Sequence, residues 1–325
     1  MTNPVQRRVG ASGLLVSATG LGCNNFGRTG TATQTQEGTT AVLDAALEAG
    51  VTFLDTADSY GAEPGLSETL IGHALRGRRD QVVLATKFGH VGYDAGVVGA
   101  AKGSRTWVRR AVEASLRRLQ TDWIDLYQLH TPDPLTPIEE TLDALGDLVR
   151  EGKVRYIGHS NLAGWQVIEA DAAARAAHAV PFISAQNHFS LLARAAEREV
   201  LPAVRHAGLG FFPFFPLHNG LLTGKFNRSG GPADSRIMRQ RPHLQQNAPW
   251  DALEAYQAFC DERGITMLQA TFGWLLAQPA LSSVIAGATT PEQVRQNAAA
   301  AAWGPSAADV AAIDELFPLP VDPAA

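Results

Sequence analysis

Hydrophobic positions along this chain follow two alternating spacings. Short runs of apolar and β-branched residues, typical of buried strands, occur at 14–23, 51–57, 82–87, 123–130, 154–160, 182–187, 209–217 and 284–288. Between these runs apolar residues recur every three to four positions, which predicts helices at 37–49, 66–75, 107–119, 138–150, 165–177, 194–206, 252–263, 267–277 and 291–301. The pattern therefore predicts a strand followed by a helix, repeated along the chain.

This repeat predicts a parallel sheet, because a helix is the usual connection between parallel strands. There are eight predicted strands, which is the number in an α/β fold of the closed (β/α)8 TIM-barrel type. A doubly wound open sheet is the alternative. Residues 7–16 are expected to form a hairpin that closes the barrel floor, and extra helices are expected at the C-terminal end. No Pro/Gly/Ser-rich linker divides the chain, so 1–325 is expected to be a single domain, with 227–249 a loop over the mouth.

The composition limits the kinds of binding partner and the cellular compartment that we expect for this protein. The 27 Lys and Arg against 32 Asp and Glu give a net charge of −5, whereas a nucleic-acid partner usually demands a basic face. No apolar run approaches the roughly 20 residues of a membrane span, and no signal peptide is evident. The two cysteines, Cys23 and Cys260, are too few for a disulfide framework. We therefore expect a cytoplasmic protein without a nucleic-acid or membrane partner; the sequence does not indicate its oligomeric state.

Four ionisable residues lie where a barrel would carry its active site. Catalytic groups of such barrels lie at the carboxyl ends of the strands. Asp55, Lys87 and His130 are at predicted strand ends, and Tyr60 follows in the loop after Asp55. Taken singly, these residues have ordinary explanations, such as a turn cap, a hydrogen-bonded histidine or a surface tyrosine. Their occurrence on neighbouring strands indicates acid–base chemistry, which requires such proximity.

Other catalytic and nucleotide motifs are incomplete. Gly20-Leu21-Gly22 begins like a dinucleotide fingerprint, but Asn25 stands at the third glycine position. The segment 220–225 is one residue short of a phosphate loop and is followed by Phe226. No closely spaced Cys/His set suggests zinc, so no metal is expected.

Several segments together resemble the aldo-keto reductase family. They are Phe53-Leu54-Asp55-Thr56-Ala57-Asp58-Ser59-Tyr60-Gly61, Thr86-Lys87, Trp123-Ile124-Asp125-Leu126-Tyr127-Gln128-Leu129-His130, Gly158-His159-Ser160-Asn161, Pro216-Leu217 with Gly220-Leu221-Leu222-Thr223-Gly224-Lys225, and Gly287-Ala288-Thr289 with Gln293, Gln296 and Asn297. The similarity extends from about residue 6 to 317 in the family's order. The chain looks most like bacterial members related to potassium-channel β subunits, and the family's barrel agrees with the strand pattern.

This resemblance implies an NADP(H)-dependent oxidoreductase that reduces aldehydes and ketones, including sugar-derived carbonyls, to alcohols. Tyr60 would be the general acid, and Lys87 would lower its pKa from the ordinary value of about 10. Asp55 would pair with Lys87, and His130 would orient the substrate oxygen. We expect a small carbonyl substrate in a pocket formed by Asn24, Phe26, Tyr60, His90 and His130. Ordinary packing is the alternative for Asn24, Phe26 and His90, as it is for Phe215 and Trp303, which are further candidate walls.

The resemblance also implies an extended cofactor site. Ser160, Asn161 and Gln186 would bind the carboxamide, Phe214 would stack on the nicotinamide, and Lys225 and Arg236 would bind phosphate. The adenosine-phosphate end would contact Gly287, Thr289, Gln293, Gln296 and Asn297. Further contacts are expected from Gly22, Cys23, Asn24, Asp55, Phe215, Pro216 and Leu217.

Some positions depart from the family pattern. Phe214 replaces the common Tyr or Trp, Phe215 replaces Ser, and Gln296 replaces Glu. Thr289 and Gln293 are neutral where other branches carry a cation for the 2′-phosphate, so Lys225, Arg236 or a helix N-terminus must supply the charge if NADPH is preferred. One alternative is a nucleotide-sensing regulatory subunit, in whose relatives Asn stands at the His130 position. A metal-dependent hydrolase would need histidines after the first strand, where Gly22-Cys23-Asn24 offers none.

Overall fold

A computed structural model describes residues 5–93 and 98–319. Its central sheet is parallel and is formed by β3 (Thr19–Gly22), β4 (Phe53–Asp55), β5 (Val83–Phe88), β6 (Ile124–Leu129), β7 (Val154–Ser160), β8 (Ser184–His188), β9 (Gly210–Phe214) and β10 (Val284–Gly287). Strands β3 to β9 lie side by side in chain order, and β10 pairs with β3. The sheet closes where the Phe211 amide donates to the Ala280 carbonyl at 2.8 Å and the Ser282 amide donates to the Phe211 carbonyl at 2.9 Å. This closure confirms the predicted (β/α)8 barrel.

Helices surround the barrel, most of them at the positions that the apolar periodicity predicts. They are α1 (Gln36–Glu48), α2 (Leu66–Ala74), α3 (Arg105–Leu119), α4 (Ile138–Arg150), α5 (Gly164–Ala176), α6 (Val200–His206), α7 (Arg236–Gln240), α8 (Pro242–Gln246), α9 (Trp250–Glu262), α10 (Met267–Ala277), α11 (Pro291–Ala300) and α12 (Ala307–Leu316). The helix α12 follows the barrel and buries Ile313 in the main core, against α9 and α10. No helix of the described segments is long and apolar enough to span a membrane.

The N-terminal hairpin closes one end of the barrel. Strands β1 (Gln6–Arg8) and β2 (Leu15–Ser17) pair antiparallel, in agreement with the hairpin predicted for residues 7–16. Val9, Leu14 and Val16 are buried in a separate cluster with barrel-interior side chains such as Phe53 and Phe212. Because this apolar plug fills one end, the polar strand ends of the opposite end remain available for a site.

Two local predictions were incomplete. The segment 227–249 contains the short helices α7 and α8 as well as loop, because the Ser235 hydroxyl accepts a hydrogen bond from the Met238 amide and Ile237 is fully buried against Leu221 and Phe226. The predicted helix 194–206 is divided into a 3₁₀ turn at Ala195–Glu197 and the shorter α6.

Candidate active site

Lys87 is the centre of a buried polar network at the carboxyl end of the barrel. Its side chain is 0% exposed on β5. Its Nζ donates to Asp55 Oδ2 at 2.6 Å, to the Thr56 carbonyl at 2.9 Å and to Tyr60 Oη at 3.4 Å. An ammonium group has three donors, so all of them have partners in this network.

Two amide side chains fix the carboxylate that pairs with Lys87. Asp55 Oδ1 accepts hydrogen bonds from Gln128 Nε2 and from Gln186 Nε2, each at 3.1 Å. These amides come from β6 and β8, across the barrel interior from β4. Asp55 therefore uses one oxygen for Lys87 and the other for the two amides, which fixes the orientation of the Lys87–Asp55 pair.

Burial and the neighbouring charges shift the pKa values of Lys87 and Tyr60 in opposite directions. Burial lowers the pKa of Lys87, but Asp55 and Tyr60 outweigh it, and the net shift is upward. For Tyr60, burial raises the pKa, and the opposing effect of Lys87 does not cancel it. The pKa of Tyr60 is therefore raised, whereas the sequence-based expectation was a lowered pKa. That expectation considered the positive charge of Lys87 but not the loss of solvent around the buried phenol.

Two histidines flank the phenol. The His130 ring meets the Tyr60 ring edge-on, with centroids 5.8 Å apart, and the His90 ring contacts His130 at 4.6 Å. Burial, followed by Lys87 and His90, lowers the pKa of His130 well below its ordinary value. His130 is therefore neutral at physiological pH, and its Nδ1 is buried without a hydrogen-bond partner among the described residues.

A cleft of about 1050 Å³ opens over this network. It is lined by most of the sequence-predicted site residues: Gly22, Asn24, Asp55, Tyr60, His90, His130, Ser160, Asn161, Gln186, Phe214, Phe215, Pro216, Leu217, Lys225, Arg236, Gly287, Thr289, Gln293, Gln296 and Asn297. The barrel thus brings together the predicted catalytic and cofactor positions, with Lys87 directly behind Tyr60.

Besides Lys87, two predicted residues do not line the cleft. Phe26, expected as a substrate-pocket wall, is 0% exposed in the main core, so it cannot contact a substrate in this conformation. Cys23, expected at the cofactor, is also fully buried, and its Sγ donates to the Leu21 carbonyl. Cys23 begins a 3₁₀ turn (Cys23–Asn25) after β3 and Phe26 follows it; both side chains face inward, whereas Asn24 lines the cleft.

The end of the cleft near Tyr60 is rich in amides and hydroxyls. Asn161 adopts a left-handed backbone conformation (φ 63°), and its Nδ2 donates to the His130 carbonyl at 2.9 Å and to Ser160 Oγ at 3.0 Å. Ser160 Oγ donates in turn to the Gln186 carbonyl at 2.8 Å. This chain of hydrogen bonds fixes the three predicted carboxamide ligands relative to His130.

Aromatic side chains form the next part of the cleft. Phe214 lies parallel to the ring of His188, with centroids 5.4 Å apart and an interplanar angle of 6°. Phe215 has a left-handed backbone conformation (φ 52°) and meets Phe214 edge-on at 5.5 Å. His188 therefore supports one face of Phe214, the residue predicted to stack on a nicotinamide.

Several cations line or adjoin the cleft without a carboxylate partner within 4 Å among the described residues. Arg236 Nε is buried and has no hydrogen-bond partner there. Burial, with Arg28 and Arg241 nearby, lowers the pKa of Arg236 to about 10. Burial also lowers the pKa of Lys225, against the opposing effect of Asp234. Such unsatisfied cations fit a polyanionic ligand such as a dinucleotide, which would complete their hydrogen bonds.

The far end of the cleft contains the start of α11. Thr290 caps this helix by accepting from the Gln293 amide, and the Thr289 amide donates to Gln293 Oε1 at 2.8 Å. Gln296 donates to Glu292 Oε1 at 3.0 Å, and Asn297 is buried. A helix N-terminus can receive a phosphate through its backbone amides, although here the first turn also carries the negative charge of Glu292.

Several residues of the site were not predicted, among them two arginines and a glutamine. Arg28 and Arg239 line the cleft, and Gln128 holds Asp55. Gln128 stands two residues before His130, so strand alternation could have placed it on the same face of β6. Arg28 follows β3 in a loop, where periodicity gives no orientation.

Comparisons with known proteins agree with this geometry. A family model described as the Aldo/keto reductase family matches residues 18–317. The chain is 38% identical over 320 residues to the uncharacterized oxidoreductase YrpG of Bacillus subtilis (strain 168), covering 96% of this chain and 95% of the relative. A match over nearly the whole barrel, together with the Asp55–Tyr60–Lys87–His130 cluster at its mouth, shows that the chain belongs to the aldo/keto reductase family of oxidoreductases.

Proposed function

We propose that this oxidoreductase is an NADPH-dependent carbonyl reductase with Tyr60 as its general acid. The main support for this proposal is the position of Tyr60, whose hydroxyl accepts a hydrogen bond from Lys87 and which lines the cleft. Because its oxygen already accepts from an ammonium, its own hydrogen is free to be donated to a substrate oxygen. A hydroxyl that is both held by a cation and open to a cleft suits proton donation.

The side chains around Tyr60 supply the rest of the proton-transfer chemistry. A bound reduced nicotinamide would supply the hydride that the carbonyl carbon accepts. Tyr60 gives its proton to the carbonyl oxygen, and Lys87, held by Asp55, stabilises the phenolate that remains. His130, neutral and edge-on to Tyr60, can donate a ring N–H to the same oxygen and share its developing charge.

The preference for NADPH rests on the cations beyond Phe214. Lys225 and Arg236 line the cleft; Arg236 is partly buried, and Lys225 is more exposed. A 2′-phosphate carries additional negative charge, so it would gain more than a 2′-hydroxyl from a guanidinium whose Nε has no partner among the described residues. The substrates are small aldehydes, ketones and sugar-derived carbonyls.

Replacement of Tyr60 by Phe tests this function directly. Phe keeps the ring but removes the donor, so we expect turnover to fall by about 100-fold or more, as for loss of a general acid, with NADPH affinity unchanged. NADPH oxidation over a panel of aldehydes, ketones and sugars measures turnover, and fluorescence titration measures NADPH affinity. Unchanged turnover in Tyr60→Phe would contradict the acid role. NADPH binding without turnover on any carbonyl would instead support the nucleotide-sensing alternative.

A further inference from the structure

Arg28 is a partly buried cation in the cleft that the proposed reaction does not use. It lies in the loop after β3 and lines the same cleft as Tyr60, His90 and His130. Its Nη2 donates to Asn24 Oδ1, and Asn24 also lines the cleft. Its Nη1 is buried and has no hydrogen-bond partner within the part of the chain that the structure describes.

The free guanidinium nitrogen has a defined chemical requirement. Arginine keeps its charge in proteins and cannot accept a hydrogen bond, so an unpaired Nη1 can be satisfied only by an acceptor. Within the described segments no carboxylate lies within ion-pair distance of Arg28, and leaving a cation partly desolvated and unpaired is costly. An anionic oxygen entering the cleft would complete the group, in the geometry that guanidinium favours for carboxylate and phosphate.

Arg28 lies near the proposed acid as well as near the cations that we assign to the cofactor phosphates. Lys225 and Arg236, the cations we assign to the cofactor phosphates, both follow β9. Arg28 instead follows β3, near Arg236, and is held by Asn24, which was predicted both as a pocket wall and as a cofactor contact. Burial and Arg241 lower the pKa of Arg28, whereas Tyr60 acts in the opposite direction, so the guanidinium lies within electrostatic reach of the proposed acid.

We propose that Arg28 binds an anionic group of the substrate, so that the preferred substrates are aldehydes and ketones that carry a carboxylate or a phosphate. The inference rests on the proposed function and specifies its substrate class. The carbonyl carbon takes the hydride and its oxygen takes the Tyr60 proton, while the anionic group remains intact and only orients the molecule.

Matched pairs of aldehydes test the proposal. The acids are meta- and para-carboxybenzaldehyde, and the neutral partners are their methyl esters, which keep the ring and the reacting carbonyl. We expect the wild-type protein to have the higher kcat/KM for at least one acid over its ester. Arg28→Gln should lower that kcat/KM by about 10-fold to 100-fold, the effect of one charge-assisted hydrogen bond, and leave the ester within about 3-fold. Arg28→Lys should recover part of the loss.

Two controls separate the substrate role from general electrostatics and from cofactor binding. Arg239→Gln removes another arginine of the same cleft, one whose two Nη atoms contact the Gly30 carbonyl at 3.2 Å, and should retain the acid-to-ester ratio. The Kd of NADPH should be unchanged in Arg28→Gln. If this variant does not fold, the salt dependence of the wild type decides, because sodium chloride should lower kcat/KM for the acid and spare the ester.

The outcomes are distinct. Equal wild-type kcat/KM for acids and esters, or equal losses for both in Arg28→Gln, would overturn the role of Arg28 and leave the carbonyl reductase intact. A raised Kd for NADPH with an unchanged acid-to-ester ratio would also overturn it, and would assign Arg28 to the cofactor phosphates. Absence of NADPH oxidation with every carbonyl, neutral or charged, would refute the proposed function itself.

Discussion

His159 provides a quantitative test of the packing around the site. It lies on β7 beside Ser160 and is fully buried, with its ring edge-on to Phe182 at 5.1 Å. Neither ring nitrogen has a hydrogen-bond partner among the described residues. Burial lowers its pKa from 6.5 to about 3, because a charged ring would lose its solvation there.

The sign of the resulting pH dependence follows from the two pKa values. Above pH 6.5 the ring is neutral in the folded and in the unfolded chain, so it adds no pH dependence. Between pH 6.5 and about 3 the unfolded chain binds a proton that the folded chain does not. Folding stability therefore falls by about 1.4 kcal/mol per pH unit through this window, which gives about 2 kcal/mol at pH 5.

Replacement of His159 by Leu removes this penalty. The difference in unfolding free energy between His159→Leu and the wild type should grow by about 2 kcal/mol when the pH changes from about 8 to about 5. Urea unfolding at several pH values measures it. His73, exposed on α2, offers the control His73→Gln, which removes a surface histidine and leaves the buried ring of His159 in place. Parallel pH curves for His159→Leu and the wild type would refute the reasoning.

Three further predictions concern the site and its support. Lys87→Met should abolish most reductase activity, and any residual activity should have an alkaline-shifted pH profile, because the loss of the cation leaves burial to raise the pKa of Tyr60 unopposed; an unshifted residual profile would contradict this. Arg236→Ala should raise the Kd for NADPH more than that for NADH in fluorescence titrations; equal losses would mean that it does not bind the 2′-phosphate. Burial raises the pKa of Asp58 from 3.8 to about 8, so the folded chain resists its ionisation and loses stability as the pH rises through that window. Asp58→Asn should therefore stabilise the protein more at about pH 8 than at about pH 5, by roughly 3 kcal/mol in urea unfolding; an equal effect at both pH values would contradict it.

The barrel could be predicted from the sequence because its signal is repeated and local. Each strand is an apolar run bounded by polar or turn residues, and errors of a few residues at the ends do not change the order of the strands. The exceptions are 194–206 and 227–249, where short helices depend on caps and burial that no periodicity encodes. Ile237 illustrates this, since it anchors α7 only because Leu221 and Phe226 lie beneath it.

The site was predictable where a side chain lies at a strand end, and less so in the loops. Asp55, Lys87 and His130 follow from the rule that strand ends converge. Phe26 and Cys23 lie one turn beyond β3, where a short 3₁₀ turn determines which side chains face the core. Arg28, which follows in the same loop and lines the cleft, was missed for the same reason.

The upward shift in the pKa of Tyr60 changes the role that Lys87 has in the proposed reaction. A general acid must carry its proton when the carbonyl arrives, and a phenol whose pKa is raised by burial does so throughout the physiological range. Lys87 is therefore not needed to ionise Tyr60 before the reaction. Its ammonium, kept charged by Asp55 and fixed by three hydrogen bonds, acts once the proton has left, when it is the cation nearest the new phenolate among the described residues. Because Gln128 and Gln186 hold the other oxygen of Asp55, the charge is in place before the transfer and needs little reorganisation, which is the condition under which electrostatic stabilisation is most effective.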